Sequence, residues 1–160
     1  MSIAAVREYF DRFGMADKVL EFTVSSATVD LAAQAVGVIP ARIAKSLSFK
    51  VDGKAVLIIT AGDAKVDNSK FKQFFHTKAK MLSAEEVVEL VGHAIGGVCP
   101  FALKEGVDVY LDVSMQRFES VFPAAGSANS AIELTCEQLE QYACNVKGWG
   151  DFCTGWQEEE

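Results

Sequence analysis

Proline, histidine and cysteine are all scarce in this chain of 160 residues, which has three, two and four of them. So few prolines, with no low-complexity tract and no internal repeat, exclude a collagen-like, disordered or repeat-array chain. The two histidines, His76 and His93, sit in no HExxH pattern, and neither a GxSxG elbow nor a GxxxxGK[ST] phosphate loop occurs. Cys99, Cys136, Cys144 and Cys153 are 37, 8 and 9 positions apart, which fits neither CxxC metal knuckles nor a dense disulfide framework. Reduced thiols, no metal and no cofactor are therefore expected. Long apolar runs are also missing: the best, Ala55 to Ala61, is only strand-sized. The opening MSIAAVREYFDRFG carries Arg7, Glu8, Asp11 and Arg12 at amphipathic-helix spacing rather than the apolar stretch of a secretion signal, so a cytoplasmic protein without membrane partners is expected.

What is present suits one domain over residues 1–160, with 50% hydrophobic and 23% charged residues. Roughly two-thirds of the extended chain's surface disappears on folding at this length, so the core needs no covalent or metal staple. The net charge of −7 argues against a nucleic-acid partner until its distribution is examined. Between Arg42 and Lys80 lie nine basic and three acidic residues, a local +6 that leaves −13 for the remainder. One segment can thus face phosphate while the rest repels it, or its lysines can simply be a solvated face.

Local signals order the elements. Ser2 caps an amphipathic helix to Phe13, and Val19 to Val24 reads as a short strand. Thr28 opens a helix over Val29 to Val36 that Gly37 closes. Ile43 to Val51 and Lys54 to Thr60 form a hairpin around Asp52-Gly53, because that pair supplies the positive φ angles of a type I′ turn. A helix near Asn68 to Phe75, a short strand at Lys80 to Leu82, and a capping box at Ser83 and Glu86 follow. Val107 to Val113 and Glu119 to Ala125 read as strands flanking a short helix, and Thr135 with Gln138 makes a second capping box for a helix to about Cys144. The three aromatics beyond it predict a tail that docks partly and frays at Glu158 to Glu160. Helices interleaved with short, hairpin-connected strands give an α+β fold, with a curved mixed β-sheet surrounded by helices.

Conventional catalytic sets being absent, the notable segment is Gly96-Gly97-Val98-Cys99-Pro100, where paired glycines allow a ligand close to the backbone. A tight packing turn is the competing reading. Cys99 is a nucleophile only if a base lies near it, and neither histidine stands at a recognisable paired spacing. Asp112, at a strand end, is either a pocket residue or the cap of the next helix.

Thr28 with Gly37, then IAKSLSFKVDGKAVLIITAGDAKVD, the GxxxP loop from Gly96 to Pro100, VDVYLDVSM and AAGSANSAIELT resemble, in that order, the YbaK/prolyl-tRNA-editing family over roughly residues 15–145. The resemblance implies a metal-independent, trans-acting deacylase that cleaves the ester between a wrong amino acid and the 3′ end of tRNA. Alanine or cysteine on prolyl-tRNA leads, with prolyl-tRNA synthetase as an expected partner. By resemblance, Lys45 and Gly96 serve catalysis, and Thr28, Ser46, Gly97, Val98, Cys99, Pro100 and Asp112 contact substrate. Lys70, Lys72, Lys78 and Lys80 are the expected tRNA contacts. A noncatalytic tRNA- or small-molecule-binding module on the same fold is the alternative. Two departures bear on the substrate: Ala102 stands where many relatives have glycine, and Ser127-Ala128-Asn129 replaces a basic turn.

Overall fold

The computed structural model describes residues 3–156. Its order is α1 (Ile3–Asp11), β1 (Leu20–Glu21), α2 (Val29–Val36), β2 (Ile43–Val51), β3 (Lys54–Ala61), β4 (Lys65–Val66), α3 (Asn68–Phe75), α4 (Ala84–Glu86), β5 (Asp108–Asp112), β6 (Ser120–Pro123), β7 (Ser130–Ala131), β8 (Leu134–Thr135), α5 (Cys136–Tyr142), β9 (Val146–Gly150) and β10 (Cys153–Thr154). Six strands form one curled sheet in the order β8-β6-β2-β3-β5-β9. The β2–β3 and β6–β8 pairs are antiparallel, whereas β2–β6, β3–β5 and β5–β9 are parallel, so the sheet is mixed as expected.

The locally encoded features fall where the sequence puts them. Thr28 accepts a hydrogen bond from Leu31 N at 3.2 Å to cap α2, and Gly37 ends it at φ 77°. Asp52 and Gly53 take φ 53° and 77° in the hairpin turn. Both capping boxes form, and a single π-helical turn, Val87–Val91, continues α4 to Gly92. Three strand expectations shrink: Val19 to Val24 to the two residues of β1, Lys80 to Leu82 to a bridge between Met81 and Phe49, and Glu119 to Ala125 to β6. The described part of the tail docks on the sheet. Phe152 N donates to Asp112 Oδ1 at 2.7 Å, β9 becomes the parallel neighbour of β5, and β10 pairs with β4. Ser2 and Glu158 to Glu160 lie outside the described residues.

Central β3 is covered on both faces, with Leu57, Ile58 and Ile59 fully buried, which is why KAVLIITA reads as a continuous apolar run. Toward α3 the core is aromatic. Phe71 stacks near Phe49 and Phe75 at ring-centre distances of 4.9 and 4.5 Å, and Phe74 and Phe75 close over Phe152 and Tyr110. Toward α2 the buried helix residues are Ala32 and Ala33, too small to fill the space they face.

Candidate functional site

β6 pairs with β2 only through Ile43 and Ala44, and further along the same side of β2 the partner is the segment around Met81, which bridges Phe49. Lys50 N donates to Lys80 O at 2.8 Å, and Leu82 N to Ser48 O at 3.2 Å. Between these two partners, at Lys45, Ser46 and Leu47, no strand pairs with β2 on that side among the described residues. The sheet is split there. A cavity of about 240 Å³ occupies the split, walled by β2, the start of α2, the 95–98 loop and the β6–β7 region.

Five expected site residues, Thr28, Lys45, Ser46, Gly96 and Val98, meet at this cavity. The rim is fixed by backbone hydrogen bonds between loops: Ser26 N donates to Ala128 O at 2.6 Å and Phe22 N to Asn129 O at 2.8 Å. Gly96 holds φ 96°, a conformation suited to glycine, and presents backbone rather than a side chain to the cavity. Gly97 has another task. A Cβ there would meet Ser127 N and Gly126 O at 2.7 and 2.8 Å, so its missing side chain lets the 94–98 loop lie against the 126–130 turn.

Lys45 brings the cavity its positive charge. Its ammonium donates a long 3.4 Å hydrogen bond to Gly62 O, and burial pulls its pKa below the usual lysine value, opposed by Cys153 and Asp63. The first residues of α2 add the partial positive end of a helix. Among the described residues, no histidine, cysteine, aspartate or glutamate lines the cavity. The polar groups the described walls offer a ligand are the Lys45 ammonium, the hydroxyls of the lining serines and Thr28, and backbone groups.

Four of the expected contact residues, Gly97, Cys99, Pro100 and Asp112, lie off the cavity lining. Gly97 packs on the neighbouring turn, as described. Cys99 is fully buried, off the cavity, and burial pushes its thiol up to about 12, so it stays protonated. Pro100 is buried beside it, its carbonyl accepting from Cys144 N at 2.8 Å. Asp112 is fully buried and tied to Ser114 N and Phe152 N at 2.9 and 2.7 Å, so it caps the following turn and anchors the tail. The fold also brings together what spacing did not reveal: His93 Nε2 lies 3.6 Å from Cys99 Sγ and 2.8 Å from Phe101 O. Burial lowers the His93 pKa, which leaves a neutral ring beside a neutral thiol.

The expected tRNA contacts divide in two. Lys70 is engaged by Asp151 Oδ1 at 2.9 Å and Cys153 O at 2.8 Å, and within the same basic segment Arg42, Lys50 and Lys54 also have carboxylate partners. Lys72, Lys78 and Lys80 stand exposed, with no ion pair among the described residues. The segment bearing Lys78 and Lys80 runs directly into Met81 and Leu82 of the cavity wall. No group of three or more potential metal-binding side chains converges among the described residues, and no helix among them is long and apolar enough to cross a membrane.

Comparison with known proteins gives the family. The chain is 52% identical to the uncharacterized protein YwhH of Bacillus subtilis strain 168, over 98% of this chain and 100% of that one. It is 32% identical to the proline–tRNA ligase of Bacillus licheniformis over 67% of this chain, a match that spans only 18% of the ligase. Among solved structures, a protein provisionally named a trans-editing enzyme for prolyl tRNA synthetase superposes with a TM-score of 0.86 at 29% identity, covering 96% of this chain and 97% of that one. Residues 23–142 match the model of the aminoacyl-tRNA editing domain, and the chain belongs to that family.

Proposed function

We propose that this protein is a trans-acting deacylase that hydrolyses the ester between a mis-attached small amino acid and the 3′ end of tRNA, with prolyl-tRNA as the carrier. The observation that carries this reading is the split in the sheet, which gathers Lys45, the start of α2 and the Gly96 backbone around a cavity with no acidic group among the described residues. An ester carbonyl seated there develops its negative charge beside an ammonium, a helix N-terminus and loop amides, all fixed before the reaction begins. The cavity has room for alanine or cysteine, and in this reading it acts as a second sieve for amino acids that a synthetase pocket cannot exclude by size. Lys72, Lys78 and Lys80 are the phosphate contacts we assign. Prolyl-tRNA synthetase is the partner we assign, because part of a proline–tRNA ligase resembles this chain.

The test is deacylation of mischarged prolyl-tRNA by the wild type and by Lys45→Met. The variant loses about a hundredfold or more in kcat/KM, the size expected for removing a group that stabilises the oxyanion. The wild type's advantage lies in the ammonium form, so the wild-type to variant ratio falls as pH rises through a value below the ordinary 10.5 of lysine. Stability moves the other way. A lysine depressed on folding binds fewer protons in the folded state, so wild-type stability rises with pH between the depressed value and 10.5, and Lys45→Met is at least as stable at neutral pH. Turnover by the variant at the wild-type rate would refute the assignment.

A further inference from the structure

Two cavity residues carry hydroxyls that the fold leaves without a partner. Ser26, 8% exposed, stands on the loop before α2, and Ser46 stands on β2 at the split in the sheet. Both Oγ atoms are closed to solvent and neither makes a hydrogen bond in the protein. A buried hydroxyl without a partner is costly, and serine is not demanded by either location for packing. The register partner of Ser46 on β3 is Ile59, amid an unbroken apolar run. Along β2, small or hydroxyl side chains recur at the alternate positions Ala44, Ser46 and Ser48, which line the cavity together with Ile43 and Lys45. The rest of the wall is largely apolar, including Val29, Ile43, Val87 and Phe122; of its other hydroxyls, Thr28 Oγ1 already accepts from Leu31 N and Ser130 Oγ is hydrogen-bonded to Ser127.

We infer that Ser26 and Ser46 select an acyl group whose small side chain bears a hydroxyl, so that seryl esters are preferred to apolar esters of the same size. The inference rests on the deacylase reading above and narrows it. A serine hydroxyl rotates among three staggered positions about a single torsion, so either can turn from the wall toward a group entering the cavity. Each can donate and accept, and a substrate hydroxyl can do the same. An isosteric methyl offers them nothing and leaves both unpaired, which is the asymmetry by which a hydrogen-bonding site rejects an analogue lacking the matching group. The discrimination belongs to two residues on separate elements, each removable without touching Lys45 or Gly96.

The experiment compares seryl-tRNA(Pro) with 2-aminobutyryl-tRNA(Pro), in which a methyl replaces the hydroxyl. The wild type is expected to favour the seryl ester by about tenfold or more in kcat/KM. Ser26→Ala and Ser46→Ala each shrink that ratio, and the double variant brings it to within about twofold of unity, mainly by slowing the seryl ester. In parallel, binding of amide-linked, non-cleavable analogues of both substrates is measured with the same four proteins, and the same ratio is expected in affinity. A wild-type ratio near unity, or one unchanged in both single variants, overturns the inference while leaving the deacylase reading intact. Failure to cleave any ester overturns that reading instead, and the analogue affinities then still decide whether the two serines select a hydroxyl.

Discussion

The two ends of the central hairpin solve opposite problems. Where α3 crosses the sheet, Phe71, Phe74 and Phe75 interlock with Phe49, Tyr110 and Phe152, leaving their rings 4.5 to 5.4 Å from their nearest neighbours. Where α2 crosses it, Ala32 and Ala33 face a strand that has parted from its neighbour, and a cavity remains. β2 serves both ends, with Phe49 at one and Ser46 at the other. Side-chain volume, not a change of fold, separates the filled end from the end that holds the cavity.

The comparison predicts opposite consequences for opposite edits. The largest effect is expected from hollowing the filled end: Phe71→Ala, at a fully buried position, costs about 3–5 kcal/mol in denaturant unfolding and leaves kcat/KM nearly unchanged in the molecules that stay folded. Filling the hollow end reverses the pattern. Ala32→Leu projects bulk into the cavity and lowers kcat/KM by about tenfold or more, about 1.4 kcal/mol of transition-state binding, while the midpoint of unfolding holds or rises. Equal losses of activity from both variants would erase the division of labour.

A smaller effect is expected at Ala102, which holds φ 55°. A Cβ in that left-handed region is strained, so glycine is the residue that this backbone accepts without strain. Ala102→Gly should change stability by no more than about 1 kcal/mol, the relief of strain offsetting the added freedom of the unfolded chain, and should not alter substrate choice. The smallest effect concerns salt. Changing Lys72, Lys78 and Lys80 singly to Gln reduces the slope of log affinity for tRNA against log salt by about 0.7–0.9 for each phosphate that is no longer neutralised, and Lys70→Gln reduces it less, because its ammonium is already engaged by Asp151. Equal slopes for Lys70 and Lys78 variants would reject that ranking.

Much of this arrangement was legible from short-range chemistry. Thr28 and Gly37, Asp52-Gly53, Ser83 with Glu86 and Thr135 with Gln138 each act within a few residues, so their roles survive reading in one dimension. Lys45 and Gly96 stand out only through the resemblance of an ordered set of segments to the editing family. What stayed hidden depends on distant partners. β9 is built from Val-Lys-Gly-Trp-Gly, whose two glycines suggest a loop, and only its parallel pairing with β5 makes it a strand. The contact of His93 with Cys99 is set by the fold of a glycine-rich loop, not by their separation in sequence. Ser26 reads as an ordinary loop serine, and its lack of a partner appears only once α2, β2 and the 126–130 turn surround it.

Asp112 has a consequence for the order in which this protein can be made. One of its carboxylate oxygens is satisfied within the next turn, by Ser114, but the other waits for Phe152, which a ribosome adds forty residues later. Until β9 has also emerged, β5 presents an unpaired edge of the sheet, the kind of surface on which nascent chains join one another. The same delay holds for the aromatic end, since Phe152 supplies one of its rings. During synthesis the cavity walls, all built from residues 26–131, are therefore complete in sequence before the packing that steadies the opposite end can close.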